Sequence, residues 1–122
     1  MDKLKIIGGL FALLSVILGA IAAHKLKDYL SEESIKSFET GVKYMMYHAL
    51  ALIIISNSNI QGKNYLFIIF SAGIILFSFS IFLLSTQSLT KINFSFLGPI
   101  TPLGGFTLII GWIIFIINSL KI

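Results

Sequence analysis

Cysteine and arginine are missing from this 122-residue chain, proline occurs twice, and only five acidic residues stand against nine lysines. Without cysteine there is no disulfide and no thiolate metal site. Charged residues make up 11% of the chain and hydrophobic ones 57%. A soluble domain carries about 25% charged residues, and a small one must cover a large surface with polar groups. That shortage excludes a soluble enzyme, a nucleic-acid-binding domain and a disordered tail. The formal net charge of +4 on so apolar a chain reads as membrane anchoring and orientation. Lysine without arginine, together with abundant isoleucine, suggests an AT-rich bacterial source.

What is present is a set of long charge-free runs. A spanning helix needs about 20 apolar residues, and the runs predict four spans over about 6–24, 42–57, 65–86 and 102–120. They are too continuously apolar for the alternating strands of a barrel, so the expected fold is an all-α, integral membrane four-helix bundle, 1–122 forming one transmembrane domain. Pro102 suits the first turn of the last helix, with Thr101 as its cap. The second span is the weakest, its apolar stretch from Tyr44 to Ile55 running only twelve residues with His48 among them. Its helix is expected to begin outside the hydrocarbon, at a capping Ser31 followed by Glu32 and Glu33 near the positive end of the helix dipole. From there Ile35, Phe38, Val42, Met45, Ala49 and Leu52 recur at helical spacing, giving an amphipathic extension before the second span.

The first span admits two readings. Lys3, Lys5, an apolar stretch and Ala20-Ile21-Ala22 fit a cleavable signal peptide. Against this, Gly8, Ala12, Ser15, Gly19 and Ala22 form a stripe of small residues at spacings 4-3-4-3. Small residues let helix backbones approach closely in lipid, so the stripe favours a packed membrane helix. Gly104, Gly111 and Asn118 form a comparable stripe on the last span. An even number of spans places both termini on one side of the membrane. Lys3, Lys5, Lys63 and Lys121 share that side, and Lys25, Lys27, Lys36, Lys43 and Lys91 the other. The lysines flanking the first helix favour cytoplasmic termini.

Histidine is the one residue type here whose ordinary pKa lies near neutral pH, and the chain has two, His24 at the end of the first span and His48 inside the second. His48 shares a helical stripe with Ser37, Gly41 and Tyr44, while Tyr47 points elsewhere. A polar group at membrane depth marks a functional-site hypothesis, so His24, Tyr44 and His48 form the candidate polar site. The plainer reading is a histidine bonded to a tyrosine hydroxyl or a backbone carbonyl. No third ligand at motif spacing supports a metal, no further feature supports a haem, and no cofactor is expected. No nucleophile triad, phosphate loop or Walker sequence occurs, so no catalytic residue is assigned.

Three ordered motifs carry a resemblance: Gly19-Ala20-Ile21-Ala22-Ala23-His24; Thr40-Gly41-Val42-Lys43-Tyr44-Met45-Met46-Tyr47-His48-Ala49-Leu50; and Gly98-Pro99-Ile100-Thr101-Pro102-Leu103-Gly104-Gly105 through Gly111-Trp112. Together they resemble the bacterial inner-membrane proteins of domain-of-unknown-function family 423, to which a small vertebrate mitochondrial transmembrane protein is related. Ala22, where the family commonly has glycine, and Phe79, where a small residue is commoner, are departures. The resemblance implies a small multi-span membrane protein and the motif positions Gly19, His24, Tyr44, His48, Thr101, Pro102, Gly104, Gly105 and Trp112. It implies no activity.

The sequence therefore predicts a non-enzymatic, multi-pass protein of the bacterial cell (inner) membrane. It would act by assembly, homo-oligomerisation, or binding of lipid or another membrane protein. The competing expectation is a small transporter or channel lined by His24, Tyr44 and His48.

Overall fold

The computed structural model describes residues 2–121. Four long helices follow one another: α1, Lys3–His24; α2, Glu32–Ser56; α3, Lys63–Ser85; and α4, Ile100–Leu120. Short turns at Leu26–Asp28, Gln87–Thr90 and Ser95–Leu97 join them. At 1.5 Å per residue each long helix runs about 31–38 Å, enough to cross a hydrocarbon layer of about 30 Å. The helices built on α1, α3 and α4 are long and apolar enough to cross a membrane by length and composition.

Local chemistry explains the boundaries. The Asp2 carboxylate accepts from the backbone N–H groups of Leu4 and Lys5, at 3.1 and 3.3 Å. Ser31 accepts from the Ser34 N–H at 3.1 Å, so α2 begins at the expected cap and carries Glu32 and Glu33 in its first turn. The α2–α3 turn closes on Gly62 at φ +74°, a left-handed conformation that costs glycine little. The last helix departs from expectation. It starts at Ile100 with Pro99 as its boundary residue and no side-chain cap. Thr101 lies inside the first turn, where its hydroxyl is used by α3 instead of by its own helix.

Helix α1 lies along α2 through its small residues. Gly8, Ser15 and Ala22 are buried, and Ala12 and Gly19 are half-buried. A Cβ on Gly8 would stand 2.9 Å from the Ala49 carbonyl oxygen and 2.9 Å from Ile53 Cγ1. Leu10, Leu13, Val16 and Ile17 face outward. The large apolar groups thus face lipid and the small ones face protein, as expected where lipid removes the hydrophobic drive between helices.

Helix α2 is the central element, lying between α1 and α3. Met45, Ala49 and Leu52 are fully buried, and Phe38 and Ile55 nearly so. Gly8 meets Ala49 and Leu52, while Gly19 meets Val42. Residues 38–56 of α2 therefore run alongside the apolar length of α1, a stretch of about 28 Å. A helix shielded by its neighbours needs little apolar surface of its own, which accounts for the weak second span.

Helix α3 is not uniform. Ile75–Phe79 form a π turn between two α-helical segments. Around it, serines bond in both directions. The Ser78 hydroxyl donates to the Gly41 carbonyl of α2 at 2.7 Å. The Ser80 oxygen lies 2.6 Å from the Leu76 carbonyl, 2.9 Å from that of Phe77 and 2.6 Å from the Thr101 hydroxyl of α4. A hydroxyl has one hydrogen, so Ser80 donates to its own helix and accepts from Thr101. Ser78→Ala is expected to cost about 0.6–1.7 kcal/mol, the range of interhelical hydrogen bonds in membranes. The cost stays small because the Gly41 carbonyl keeps its helical partner. Reversible unfolding in mixed mild detergent and dodecyl sulfate measures it.

At the π turn α3 also meets α4 most closely. A Cβ on Gly104 would overlap the Phe77 amide nitrogen, and would lie 2.6 Å from the Leu76 carbonyl carbon. Gly73 receives Leu108, and Gly111 receives Phe70. The Asn118 amide donates to the Gln61 carbonyl at 3.0 Å, and the Lys3 ammonium stands 5.2 Å from the Phe67 ring centroid. Both ends of the described chain therefore lie at the same end of the bundle as the α2–α3 turn.

Candidate functional site

On α2 the stripe Ser37, Gly41, Tyr44 and His48 meets α3 at Gly41, which packs on Phe82 and Ile81, and α4 at His48, which meets Trp112. His48 is the most completely enclosed ionisable side chain of the described residues, 5% exposed. Its Nδ1 is 2.6 Å from the Tyr44 carbonyl oxygen. Its Nε2 receives the Trp112 indole N–H from α4 at 2.9 Å. A carbonyl oxygen can only accept and an indole N–H can only donate. The two partners together select the neutral imidazole with its proton on Nδ1, and both ring nitrogens are occupied.

Aromatic rings complete the setting. Phe70 of α3 lies 5.6 Å from His48 and 5.1 Å from Trp112, centroid to centroid. Tyr44 lies 5.0 Å from Phe77 and 5.8 Å from Tyr47. These spacings fall within the range where tilted aromatic pairs attract. Phe77 belongs to the π turn, so the wide turn places a ring under Tyr44.

Above this pair opens a cleft of about 650 Å³ between α2 and α4. Its walls are Tyr44 and Tyr47 on one side and Gly105, Phe106 and Ile109 on the other, with His48 and Trp112 at its inner end. Tyr47, Phe106 and Ile109 are more than half exposed, so the cleft opens sideways toward lipid. The expectation that Tyr47 points away from the His48 stripe is corrected here: both tyrosines edge the same opening.

A second cavity, of about 430 Å³, adjoins the first at Pro102 and lies toward the charged start of α2. Glu33, Ser34 and Ser37 of α2, Ser85 of α3 and Thr101 of α4 border it. The two cavities share Pro102 and follow one another along α4 as a groove; Ile81 and Leu84 of α3 line the first beside its carboxylate and hydroxyls, and the second is chiefly apolar.

The structure brings Tyr44 and His48 together and leaves His24 out. His24 is exposed at the last residue of α1 and borders neither cavity. The glycines of α4 divide by role: Gly104 and Gly111 are buried against α3, while Gly105 forms a wall of the cleft. Trp112 is the residue that sequence reasoning could not place. Its partner lies 64 positions away, and its single clue was an indole N–H near mid-span, which in hydrocarbon must find an acceptor. Among the described residues no cluster of three or more histidine or acidic side chains could hold a metal.

A family model described as "Protein of unknown function (DUF423)" matches residues 18–105. The chain is 39% identical over 121 residues to the UPF0382 membrane protein YwdK of Bacillus subtilis, covering 95% of this chain and 94% of that protein. It is 41% identical over 119 residues to the UPF0382 membrane protein SAB0533 of Staphylococcus aureus, covering 95% and 93%. A UPF0382 membrane protein of Staphylococcus epidermidis is 38% identical over 119 residues, covering 95% and 93%. No solved structure matches the chain.

Proposed function

Taking as premise that the chain belongs to the DUF423 family of membrane proteins, we propose that it is a non-enzymatic binding protein of the bacterial cytoplasmic membrane. Its working site is the lateral cleft between α2 and α4, and its occupant is the apolar part of another membrane component. One observation carries the reading: the polar pair at the inner end of the cleft satisfies itself. His48 has both ring nitrogens bonded, so neither is open to take a proton from a substrate. An apolar, aromatic-walled cleft with few polar groups is the general form of a binding site. The absence of His24 from the cleft removes support from a conduit lined by His24, Tyr44 and His48.

The termini are assigned to the cytoplasmic side, because Lys3 and Lys5 flank the first helix. A reporter fused to the C-terminus tests that side directly.

The binding reading is tested by purification in mild detergent and mass spectrometry of what remains attached. A defined lipid or membrane protein is expected to stay with the wild type and to be lost from Gly105→Phe, whose ring would fill the cleft. Retention unchanged by that substitution would remove the cleft as the site. Flux through proteoliposomes abolished by His48→Ala, in protein that still folds, would replace binding with transport.

A further inference from the structure

The binding reading leaves the chemistry of the occupant open, and the polar end of the groove specifies it. We infer that the groove holds one lipid of a single leaflet. Its ammonium-bearing head group sits among Glu33, Ser37, Ser85 and Thr101, and one chain lies along α4 to Trp112. The inference rests on the cleft being a binding site.

Three observations combine. The first is length. From Thr101 to Trp112 the α4 wall advances eleven residues, about 16 Å at 1.5 Å per residue. Half of a hydrocarbon core of about 30 Å is about 15 Å. The groove therefore runs the depth of one leaflet, and the Trp112–His48 bond closes it at its inner end.

The second is polarity. The outer cavity is bordered by the exposed carboxylate Glu33 and four hydroxyl side chains beside Ile81, Leu84 and Pro102, and the inner cleft carries no charge and is walled by tyrosine, phenylalanine and isoleucine side chains. They meet at Pro102. An occupant spanning both must be amphipathic, with its polar part at the charged end of α2. A transmembrane segment of another protein would present a uniformly apolar face to both cavities.

The third is charge, taken with the sense of the hydrogen bonds. The Ser85 hydroxyl donates to the Ile81 carbonyl at 2.7 Å. Thr101 donates to Ser80 across 2.6 Å. With those hydrogens committed, both oxygens offer the cavity lone pairs only. A carboxylate is also acceptor-only. No lysine, histidine, asparagine or glutamine borders the cavity. Ser34 and Ser37, which also border the cavity, keep free hydrogens, so the hydroxyls alone do not choose an occupant; the one charge there, on Glu33, does, and it matches an ammonium, with three N–H groups and no acceptor. A head group carrying only phosphate and hydroxyls would set its negative charge against Glu33.

The chain supplies its own probe, because Trp112 is its single tryptophan and stands at the end of the groove. The protein is reconstituted in nanodiscs of phosphatidylethanolamine and phosphatidylglycerol in equal proportions. Bromine, a collisional quencher, is placed deep in the acyl chains of one lipid or of the other. The two samples have the same composition, so lipid acting only as solvent quenches Trp112 equally in both. Quenching is expected to be about two- to fivefold stronger with bromine on the ethanolamine lipid, the bias that a partly exposed carboxylate–ammonium pair supplies. Glu33→Gln should bring the two samples to equality while leaving total quenching in place.

Equal quenching in the wild type overturns the head-group assignment. A bias that survives Glu33→Gln overturns the placement of the ammonium at this carboxylate. Gly105→Phe separates these failures from failure of the binding site itself. Equal quenching that still falls in this variant means that chains enter the groove without head-group selection. Quenching that the variant leaves unchanged means that no chain enters at all, and both readings then fall. Elution as a single species in detergent, matched to wild type, shows that each variant is folded.

Discussion

Gly104→Leu is expected to unfold the bundle in mild detergent, at a cost of about 3 kcal/mol or more, the upper end of overpacking penalties. Even the first carbon of a side chain at this position would overlap the Phe77 amide nitrogen and press on the Leu76 carbonyl carbon. These are backbone atoms and cannot rotate away, so α3 and α4 must separate. Separation would also pull Thr101 from Ser80 and Gly111 from Phe70. Gly104→Ala meets the same backbone and should cost about 1–3 kcal/mol. Gly9→Ala serves as control: nothing stands within 4 Å of its added carbon, and alanine is the better helix former by about 0.5–1 kcal/mol. Unfolding midpoints in dodecyl sulfate titration report all three. A Gly104→Leu protein with the midpoint of wild type would show that the helices do not approach here as described.

His48→Ala ranks second, with an expected loss of about 2–5 kcal/mol. Removing a buried ring of this size leaves a cavity with costs in that range, and the Trp112 N–H loses its acceptor. In hydrocarbon no water replaces that acceptor. His48→Gln separates the two contributions, since a glutamine amide oxygen can accept from Trp112 while the ring is lost. It should recover part of the stability, about 0.6–1.7 kcal/mol. Trp112→Phe, which keeps an aromatic ring but removes the N–H together with part of the indole packed on Phe70 and Phe115, should lose at least as much. A double-mutant cycle over His48 and Trp112 isolates their coupling. Additive losses would show that the bond between them contributes nothing to holding α2 and α4 together.

Much of this architecture was readable from the residues. Ser31 and the two glutamates after it marked the start of α2, and the phase of Phe38, Met45, Ala49 and Leu52 marked its buried face, because capping and periodicity are local properties. The small stripe of α1 identified the side that meets α2, since backbone approach depends on residue size alone. The stripe joining Gly41, Tyr44 and His48 brought part of the site into view. The rest depended on distant partners. The π turn has no local signature, and the serines within and beside it bond to Gly41 and Thr101, which lie in other helices. Thr101 fitted a capping position by sequence, but Ser80 and the earlier start at Ile100 drew it to a different task. His24 was grouped with His48 on residue type and loop connection, whereas the helices place them far apart along the bundle.

The wide turn at Ile75–Phe79 has a consequence for how α3 is indexed. One extra residue in a turn advances everything beyond it by about 100° relative to an uninterrupted spiral. That offset lets Phe70 and Gly73 address α4 from one segment, while Phe82, from the next, meets Phe38 of α2 at 4.9 Å. The rotational phase of the last two turns is thus set by a residue count. Loss of any one residue between 75 and 79 would swing those turns by more than a quarter of a circle, even with every remaining side chain unchanged. Length through this short interval, more than composition, is what the helix has to keep.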